Sequence, residues 1–354
     1  MKFATLSLAL ATVSAGLAAP SQGPGGKYYG KAKGLNDLAR RAGLLYFGTA
    51  VDNPSLNNSK YLSIAYDTSE FGQATPANGQ KWMYIEPQRN VFNYTMGDAI
   101  IKPAKNNGQM RRCHTFLWHS QLPDWLTSKN YTKTELISIL ENHIKNEATY
   151  YKNDCYAWDV VNEAFNEDGT YRNTLWLWTI GPEYLEYAFK FARKYTSRQT
   201  KLYYNDYNVE RVNNKSIAIA KMVRDFQRKG VPIDGVGFQA HFKTGSTPSY
   251  EEQVASMKQF TKLGLEVAIT ELDVRTLLPD SAEKQAQQAK DYANTVKACK
   301  DTDDCVGVTV WDFWDPVSWV PDVFPGEGVA CLWSANYTKK PAYYAVADVL
   351  GEDD

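Results

Sequence analysis

Residues 156–163, Tyr-Ala-Trp-Asp-Val-Val-Asn-Glu, are the stretch from which the fold can be predicted. The run is mostly apolar and β-branched as far as Val161, and it then ends in two polar side chains, Asn162 and Glu163. A short apolar run of this kind is typical of a strand buried in a parallel sheet. Such a strand carries Asn162 and Glu163 to one edge of the sheet, where side chains from neighbouring strands can meet.

Seven further runs of this type predict eight strands in all, at residues 46–51, 71–75, 112–118, 156–161, 201–204, 235–239, 266–270 and 306–311. Amphipathic stretches separate most of them, and one of these, residues 134–151, follows a capping box at Thr132 and Glu135. This alternation predicts an α/β fold, a single (β/α)8 TIM barrel. An open doubly wound sheet is the alternative, but Phe47-Gly48-Thr49 lacks the glycine-rich phosphate turn usual after its first strand.

The N-terminus predicts export. Lys2 precedes an uncharged run from Phe3 to Ala19 that ends in small residues, so residues 1–19 are predicted to be a secretory signal peptide. A membrane anchor is the alternative, but the run is short and no second apolar stretch of about 20 residues follows. Residues 20–36 are predicted to be a flexible arm and residues 37–354 the barrel domain. We therefore expect a secreted, extracellular protein that does not bind a membrane.

Five cysteines in an exported chain predict disulfide bonds and one odd thiol. Cys299 and Cys305 bracket a short polar loop, and Cys113 and Cys155 each lie at the start of a predicted strand, so each pair is expected to form a bond. Cys331 then remains unpaired. Five glycosylation sequons also suit an exported surface, at Asn57, Asn93, Asn130, Asn214 and Asn336.

The composition excludes some partners and favours others. Lys and Arg total 39 against 40 for Asp and Glu, so no excess of cations is available to bind nucleic acid. Aromatic residues reach 13 %, with 10 Trp and 23 Tyr, more than a core needs and suited to stacking on the apolar faces of sugar rings. We expect a monomer that binds an oligosaccharide, polysaccharide or glycoside.

Residues at the carboxyl ends of barrel strands are where catalytic groups lie. Here they are polar or aromatic: His114, Trp118, His119, Gln121, Asn162, Glu163, Asn205, Asp206, Tyr207, Gln239, His241, Glu271, Asp273 and Trp311. Glu163 and Glu271 follow the fourth and seventh strands, which face each other across an eight-stranded ring. Glycoside hydrolases use two carboxyl groups that flank the glycosidic bond to be cleaved. A single Glu at a strand end could equally form a salt bridge at the rim of the barrel, but the Asn, His and Trp residues at the neighbouring strand ends favour a catalytic site.

Other chemistries have no support in the sequence. The four histidines form no HExxH motif and no Cys/His cluster has zinc spacing, so no metal site is predicted. There is no GxSxG motif for a serine hydrolase. No cofactor is expected.

Three motifs carry a resemblance to a known family. Residues 112–123 (Arg-Cys-His-Thr-Phe-Leu-Trp-His-Ser-Gln-Leu-Pro), residues 158–164 (Trp-Asp-Val-Val-Asn-Glu-Ala) and residues 270–273 (Thr-Glu-Leu-Asp) together resemble glycoside hydrolase family 10. Its members are mostly endo-β-1,4-xylanases. Residues 204–208 and 239–241 add to the similarity, which extends over roughly residues 46–349.

The resemblance implies a retaining double displacement with Glu163 as general acid/base and Glu271 as nucleophile. In such enzymes the carboxyl groups lie about 5 to 5.5 Å apart, and the charge of Glu271 favours the protonated form of Glu163. Asn162 is then expected to bind the 2-hydroxyl of the cleaved sugar, and His241, supported by Asp273, to contact the nucleophile. The remaining substrate-binding residues implied are Asn78, Lys81, His114, Trp118, Gln121, Gln239, Trp311 and Trp319, with Asn205 and Tyr207 on the leaving-group side.

Two stretches depart from the family pattern. After the second strand the usual Thr-Pro-Glu-Asn is Thr75-Pro-Ala77-Asn78, so the Glu that grips the second sugar is missing. At the eighth strand the usual Trp-Gly becomes Trp311-Asp312-Phe313-Trp314, which is expected to add a charge and two aromatic rings beside the cleft. These changes leave an alternative open: a relative resembling the tomatinases, which release the oligosaccharide from a plant steroidal glycoalkaloid. A non-catalytic carbohydrate-binding barrel is a further alternative, although both Glu motifs are intact.

Overall fold

Eight parallel strands close into a barrel in the computed structural model, which describes residues 32–351. Its strands are β1 Tyr46–Val51, β2 Gln73–Pro76, β3 Met110–Leu117, β4 Ala157–Asn162, β5 Lys201–Asp206, β6 Gly235–Phe238, β7 His241–Lys243, β8 Glu266–Leu277, β9 Cys305–Val310 and β10 Glu327–Gly328. Its α-helices are α1 Leu35–Arg41, α2 Ser59–Ala65, α3 Trp82–Ile85, α4 Thr95–Asn106, α5 Asp124–Thr127, α6 Lys133–Tyr150, α7 Leu175–Ile180, α8 Tyr184–Tyr195, α9 Asn214–Lys229, α10 Tyr250–Thr261, α11 Ala282–Lys300, α12 Val320–Val323 and α13 Pro341–Gly351.

The barrel strands follow one another around the ring in chain order, β1-β2-β3-β4-β5-β6-β8-β9. The ring closes where β9 pairs in parallel with β1, with Gly307 opposite Tyr46. This closure confirms the predicted TIM barrel over the open doubly wound sheet. Each predicted strand overlaps one barrel strand, and the first is predicted to the residue.

The helices pack an apolar face against the outside of the ring. In α6 the buried side chains include Leu136, Leu140 and Ile144, which recur at helical spacing. The predicted capping box starts this helix, since Thr132 and Glu135 each accept a hydrogen bond from the other's backbone N–H. None of the helices within residues 32–351 is both long and apolar enough to cross a membrane.

β8 is longer than the sequence predicts and extends to Leu277. Beyond the barrel it pairs with two short strands that were not predicted, β7 in parallel and β10 antiparallel. In the β7 pair, His241 lies opposite Asp273. The register of this extension therefore sets His241 and Asp273 side by side at the mouth of the barrel.

Gly237 in β6 leaves room for a side chain of the neighbouring strand. A Cβ atom at this position would lie 2.2 Å from Asn205 Oδ1 and 2.8 Å from Thr270 Cγ2. Such contacts are too short for any residue other than glycine. Gly237 thus allows the Asn205 amide to lie inside the ring beneath the mouth of the barrel.

Both predicted disulfide bonds are present, Cys113–Cys155 between the starts of β3 and β4 and Cys299–Cys305 across the loop after α11. Cys331 is buried and unpaired, as expected. The predicted signal peptide lies outside the described residues. Residues 20–31 of the predicted arm also lie outside the described residues. Its end needs a correction, since α1 begins at Leu35 and both Leu35 and Asn36 are buried. Asn36 Oδ1 accepts from Phe47 N–H of β1 at 3.0 Å.

Candidate active site

Glu163 and Glu271 lie at the same end of the barrel and are joined by side-chain amides. Asn205 Nδ2 donates to Glu271 Oε1 at 2.8 Å and to Asn162 Oδ1 at 2.9 Å. Asn162 Nδ2 in turn donates to Glu163 Oε1 at 3.2 Å. A chain of two amides therefore connects the two carboxyl groups, and both must lie within the same small cleft.

Glu163 is held by three donors and by its own backbone. Trp118 Nε1 donates to Oε2 at 2.9 Å, and Gln239 Nε2 donates to Oε1 at 3.0 Å, beside the contact from Asn162. The residue has φ of 57°, a left-handed conformation that is costly for a residue with a Cβ. Its N–H donates to the Asn205 carbonyl, and its carbonyl accepts from Arg172 Nε. The surroundings thus hold a strained backbone at this point, as is common at functional sites.

Glu271 is buried and lies next to a cation. Burial raises its pKa, but the hydrogen bond from His241 and the positive charges of His114 and His241 outweigh burial, so the pKa is lowered from the ordinary value. His241 Nε2 lies 3.2 Å from Oε2, and Asn205 holds the other oxygen. Glu271 is therefore ionised at neutral pH, in the state that a nucleophile needs.

His241 owes its charge to Asp273. Its Nδ1 lies 2.9 Å from Asp273 Oδ2, which also accepts from Trp319 Nε1 at 2.7 Å. Burial lowers the pKa of His241, but Asp273 and, to a smaller extent, Glu271 raise it to about 10. The imidazolium therefore donates to both carboxylates, and its ring lies edge-on to Trp319 at 4.9 Å.

A second polar cluster lies where β1 and β2 end. Asn78 Oδ1 accepts from Lys81 Nζ at 2.9 Å and from Gln121 Nε2 at 3.2 Å. Lys81 Nζ also lies 4.9 Å from the centre of the Trp118 ring, a cation–π distance. Burial lowers the pKa of Lys81 to about 8 despite the nearby charges of Glu271 and Asp52. This cluster, Asn78, Lys81 and Gln121, adjoins Trp118 and so continues the cleft away from Glu163.

His114 and Trp311 complete the wall of the cleft. His114 is almost fully buried, and its Nδ1 lies 3.0 Å from Asp159 Oδ2 inside the barrel. Asp159 also forms a buried ion pair with Arg112. The His114 ring meets Trp311 edge-on at 5.4 Å. Asp159 thus fixes the ring of His114, a role that sequence reasoning missed although a charged residue inside an apolar strand signalled it.

Tyr207 lies at the mouth after β5, as expected. Arg172 Nη2 donates to its hydroxyl at 2.8 Å, and the ammonium group of Lys215 lies 3.7 Å from the centre of its ring. Lys215 is itself buried against Asp206. Arg172 therefore ties the Tyr207 ring to the backbone of Glu163, and sequence reasoning did not identify it because it lies in the long loop after β4.

Two residues expected to bind substrate also hold the two carboxyl groups. Asn205, expected on the leaving-group side, is fully buried, and its amide spans Asn162 and Glu271 while Thr270 Oγ1 donates to its Oδ1. Gln239 is likewise buried and donates to Asn162 and Glu163. Both therefore position the carboxyl groups, and their contact with substrate stays a prediction.

Of Phe313 and Trp314, which depart from the family pattern after the eighth barrel strand, the first is placed differently from what the sequence predicts. Phe313 is fully buried, and its ring packs on Tyr61, Phe71 and Trp333 in the core. Trp314 is partly buried and stacks on Tyr337, with ring centres 4.5 Å apart. Tyr61, Phe71 and Trp333 surround the Phe313 ring, so the expectation that this ring lies beside the cleft is wrong. Tyr337 covers one face of Trp314.

Asp312 does not add a charge to the cleft either. Its carboxylate accepts hydrogen bonds from the Tyr61 hydroxyl and from two backbone N–H groups, of Phe313 and Trp314. Burial raises the pKa of Asp312 to about 7. The carboxyl group is thus a structural acceptor in the turn after β9.

Comparisons with known proteins agree with this geometry. The family model described as glycosyl hydrolase family 10 matches residues 34–349. The chain is 51 % identical over 312 residues to endo-1,4-beta-xylanase D of Talaromyces funiculosus, covering 88 % of this chain and 76 % of that protein. It is 47 % identical over 314 residues to an endo-1,4-beta-xylanase of Agaricus bisporus, covering 89 % of this chain and 93 % of that protein.

Solved structures show the same likeness. The endo-1,4-beta-xylanase XylE of Penicillium canescens matches with a TM-score of 0.88 at 43 % identity, over 90 % of this chain and 98 % of that one. A family 10 xylanase of Bispora sp. MEY-1, solved with xylobiose, matches with a TM-score of 0.87 at 42 % identity, over 90 % of this chain and all of that one.

Proposed function

The chain belongs to glycosyl hydrolase family 10, and from that premise we propose that it is an endo-β-1,4-xylanase that works by a retaining double displacement. The observation that carries the proposal is the pair Glu163 and Glu271, joined by amides at the mouth of the barrel but held by different neighbours. Glu271 lies beside an imidazolium and is ionised, whereas Glu163 is held by neutral amide and indole donors. Different environments for two carboxyl groups are what separate a nucleophile from an acid.

In the first step Glu271 attacks the anomeric carbon while the bond from that carbon to the leaving oxygen breaks. Glu163 gives its proton to the leaving oxygen, and a glycosyl ester of Glu271 remains. In the second step Glu163 takes a proton from water, whose oxygen attacks the same carbon. The ester bond breaks and returns the electron pair to Glu271, so the anomeric configuration is retained.

The surrounding residues support this sequence. His241 stabilises the carboxylate of Glu271 before and after the ester exists, and Asn205 fixes its other oxygen. One N–H of Asn162 is engaged with Glu163, which leaves its second for the 2-hydroxyl of the sugar. Lys81, His114 and Trp311 line the wall on the side that the resemblance assigns to the non-reducing sugars.

Product analysis on xylan tests the function. The viscosity of soluble xylan should fall faster than reducing ends appear, as internal cleavage requires, and the first product seen by proton NMR should be the β-anomer. An α-anomer as first product would overturn the retaining mechanism. Release of the oligosaccharide from tomatine with no action on xylan would overturn the substrate and favour the glycoalkaloid alternative.

Variants test the two roles. Glu271→Gln should abolish turnover, and a 2-fluoro aryl xylobioside should label Glu271 in the unchanged enzyme. Glu163→Gln should lower kcat/KM on xylan by roughly 10² to 10⁴-fold, but far less on a dinitrophenyl xylobioside, whose leaving group needs no proton. Glu167→Gln is the matched control, since Glu167 lies on the rim and contacts neither carboxyl group. Label on another residue would contradict the assignment, as would loss of activity in both Glu163 assays.

Export and oligomeric state are also proposals. From the sequence pattern of the N-terminus we propose that residues 1–19 are removed on secretion. We also propose that the mature protein is a monomer. N-terminal sequencing of protein from the culture medium and light scattering test both. An intact N-terminus or a dimer mass would contradict them.

A further inference from the structure

Asp52 is the first residue after β1, and the strand register sets it beside Ala77. β1 pairs in parallel with β2, with Val51 opposite Pro76, and the pairing continues through a hydrogen bond from Ala77 N–H to the Val51 carbonyl at 2.9 Å. One further step along both strands places Asp52 opposite Ala77. Because side chains alternate between the two faces of a strand, residues in register project from the same face of a sheet. The Asp52 side chain therefore leaves the sheet next to the methyl group of Ala77.

The Asp52 carboxylate belongs to the polar cluster of Asn78, Lys81 and Gln121. Its Oδ2 accepts from Asn78 Nδ2 at 2.8 Å, and its Oδ1 accepts from Asn53 N–H at 2.9 Å. Asn78 Oδ1 is already occupied by Lys81 and Gln121. The orientation of the Asn78 amide is therefore fixed, and it points its N–H at Asp52.

The carboxylate also has hydrogen-bonding capacity left. It accepts two hydrogen bonds within the described residues, whereas a carboxylate offers about four lone-pair sites. Within residues 32–351 it forms no ion pair, and the residue is only partly buried. A carboxylate with free acceptor sites at the mouth of the barrel can accept from sugar hydroxyls.

Asp52 lies further along the cleft than the residues that contact the reacting carboxyl groups. Glu163 contacts Trp118, the Trp118 ring faces Lys81, and Lys81 and Asp52 both contact Asn78. Asp52 thus lies beyond the residues that meet the sugar being cleaved. A group at that place would meet the next sugar of the chain.

We propose that Asp52 accepts hydrogen bonds from hydroxyl groups of the second sugar on the non-reducing side, and so supplies from β1 the carboxylate that is missing at position 77. This inference rests on the proposed function, because it assumes a β-1,4-linked chain in the cleft. It makes Asp52 a specificity-determining residue, and it predicts that the loss of the glutamate has not removed the acid from this subsite.

Two substrates that differ by one sugar test the proposal. An aryl β-xylobioside fills the second non-reducing position, and an aryl β-xyloside does not. In Asp52→Asn, the ratio of kcat/KM for the xylobioside to that for the xyloside should fall roughly tenfold to hundredfold, the effect of a hydrogen bond to a charged group. Asp67→Asn is the matched control, because Asp67 caps a turn in the same way on the outer surface and should keep the wild-type ratio.

A double variant separates binding from structural damage. Ala77→Glu in the Asp52→Asn background moves the carboxylate to the neighbouring strand and should restore most of the ratio. If Asp52 only supported the fold, both substrates would suffer equally and the ratio would stay constant, which would overturn the proposal. If the wild type hydrolysed neither substrate nor xylan, the proposed function itself would fail, and this outcome is distinct from a constant ratio.

Discussion

Replacing Asp273 with Asn should bring the titration of His241 into the neutral pH range. The substitution keeps the shape of the side chain and an oxygen that can accept from both His241 and Trp319, but it removes the negative charge. In the wild type the pKa of His241 is raised from 6.5 to about 10, so the imidazole stays protonated wherever a xylanase assay is practical.

The size of the effect follows from that shift. A change from 6.5 to about 10 corresponds to about 5 kcal/mol in favour of the imidazolium. Asp273 contributes more of it than Glu271, and burial opposes both, so Asp273 accounts for at least half. The charge of Asp273 and its hydrogen bond together are therefore worth at least about 2.4 kcal/mol, or a change of roughly 60-fold in the acid dissociation constant of His241, and Asp273→Asn removes the charge.

Two measurements check this. Proton NMR follows the imidazole signals of the four histidines with pH, and that of His241 should titrate at a clearly lower pH in Asp273→Asn than in the wild type. In parallel, the alkaline limb of kcat/KM for an aryl xylobioside should move toward neutral pH, because a neutral imidazole can donate to only one of its two partners. Trp319→Phe is the control, since it removes a neutral donor to the same oxygen and should not move that limb.

Folding stability gives an independent readout of the same charge. A His whose pKa is raised in the folded state stabilises that state fully when the pH is below the pKa of the unfolded state. This contribution is lost as the pH rises through the pKa of the folded state. The free energy of unfolding should therefore fall between about pH 6.5 and 10 in the wild type, and less so in Asp273→Asn. An unchanged titration of His241 in the variant would refute the argument, as would a wild-type His241 that titrates at its ordinary pKa.

Two other predictions concern stability. Burial raises the pKa of Glu147 well above its ordinary value, so at neutral pH the folded state binds a proton that the unfolded state releases. Glu147→Gln should therefore raise the free energy of unfolding at pH 7 and leave it unchanged near pH 4. Equal effects at the two pH values would contradict this. Loop entropy predicts about 4 kcal/mol for Cys113–Cys155, whose residues are 42 apart, and about 2.4 kcal/mol for Cys299–Cys305, whose residues are 6 apart. Urea unfolding of the two paired Ser variants should give that order, and the reverse order would contradict the loop argument.

Most of the barrel could be predicted because its strands are local apolar runs with polar ends. β1 and the capping box of α6 need only a few consecutive residues to be recognised. β7 and the outer half of β8 were missed because their pattern is polar, as in Thr270-Glu-Leu-Asp-Val-Arg, and only pairing between them makes them strands. Segments whose structure depends on a distant partner carry no local signal of their own.

In the active site, too, some features have a local signal in the sequence and others depend on a distant residue. Glu163, Glu271 and His241 could be identified because strand ends share one edge of the barrel. The direction of the Asn205 side chain could not, because it depends on the space that Gly237 leaves on the next strand. Phe313 was misplaced for a related reason, since only the packing of Tyr61, Phe71 and Trp333 shows that its ring enters the core.

Position 77 shows why a departure from a motif must be judged in three dimensions. Along the sequence, the change from Glu to Ala removes an acid and suggests a cleft adapted to a bulkier glycoside. Across the strands, Asp52 leaves the sheet at the adjacent position and already engages Asn78. Of the two rings expected to bind a steroidal aglycone, Phe313 is buried and Trp314 has one face covered by Tyr337. The loss of the glutamate therefore leaves an acid beside position 77, and Phe313 supplies no surface for a steroid.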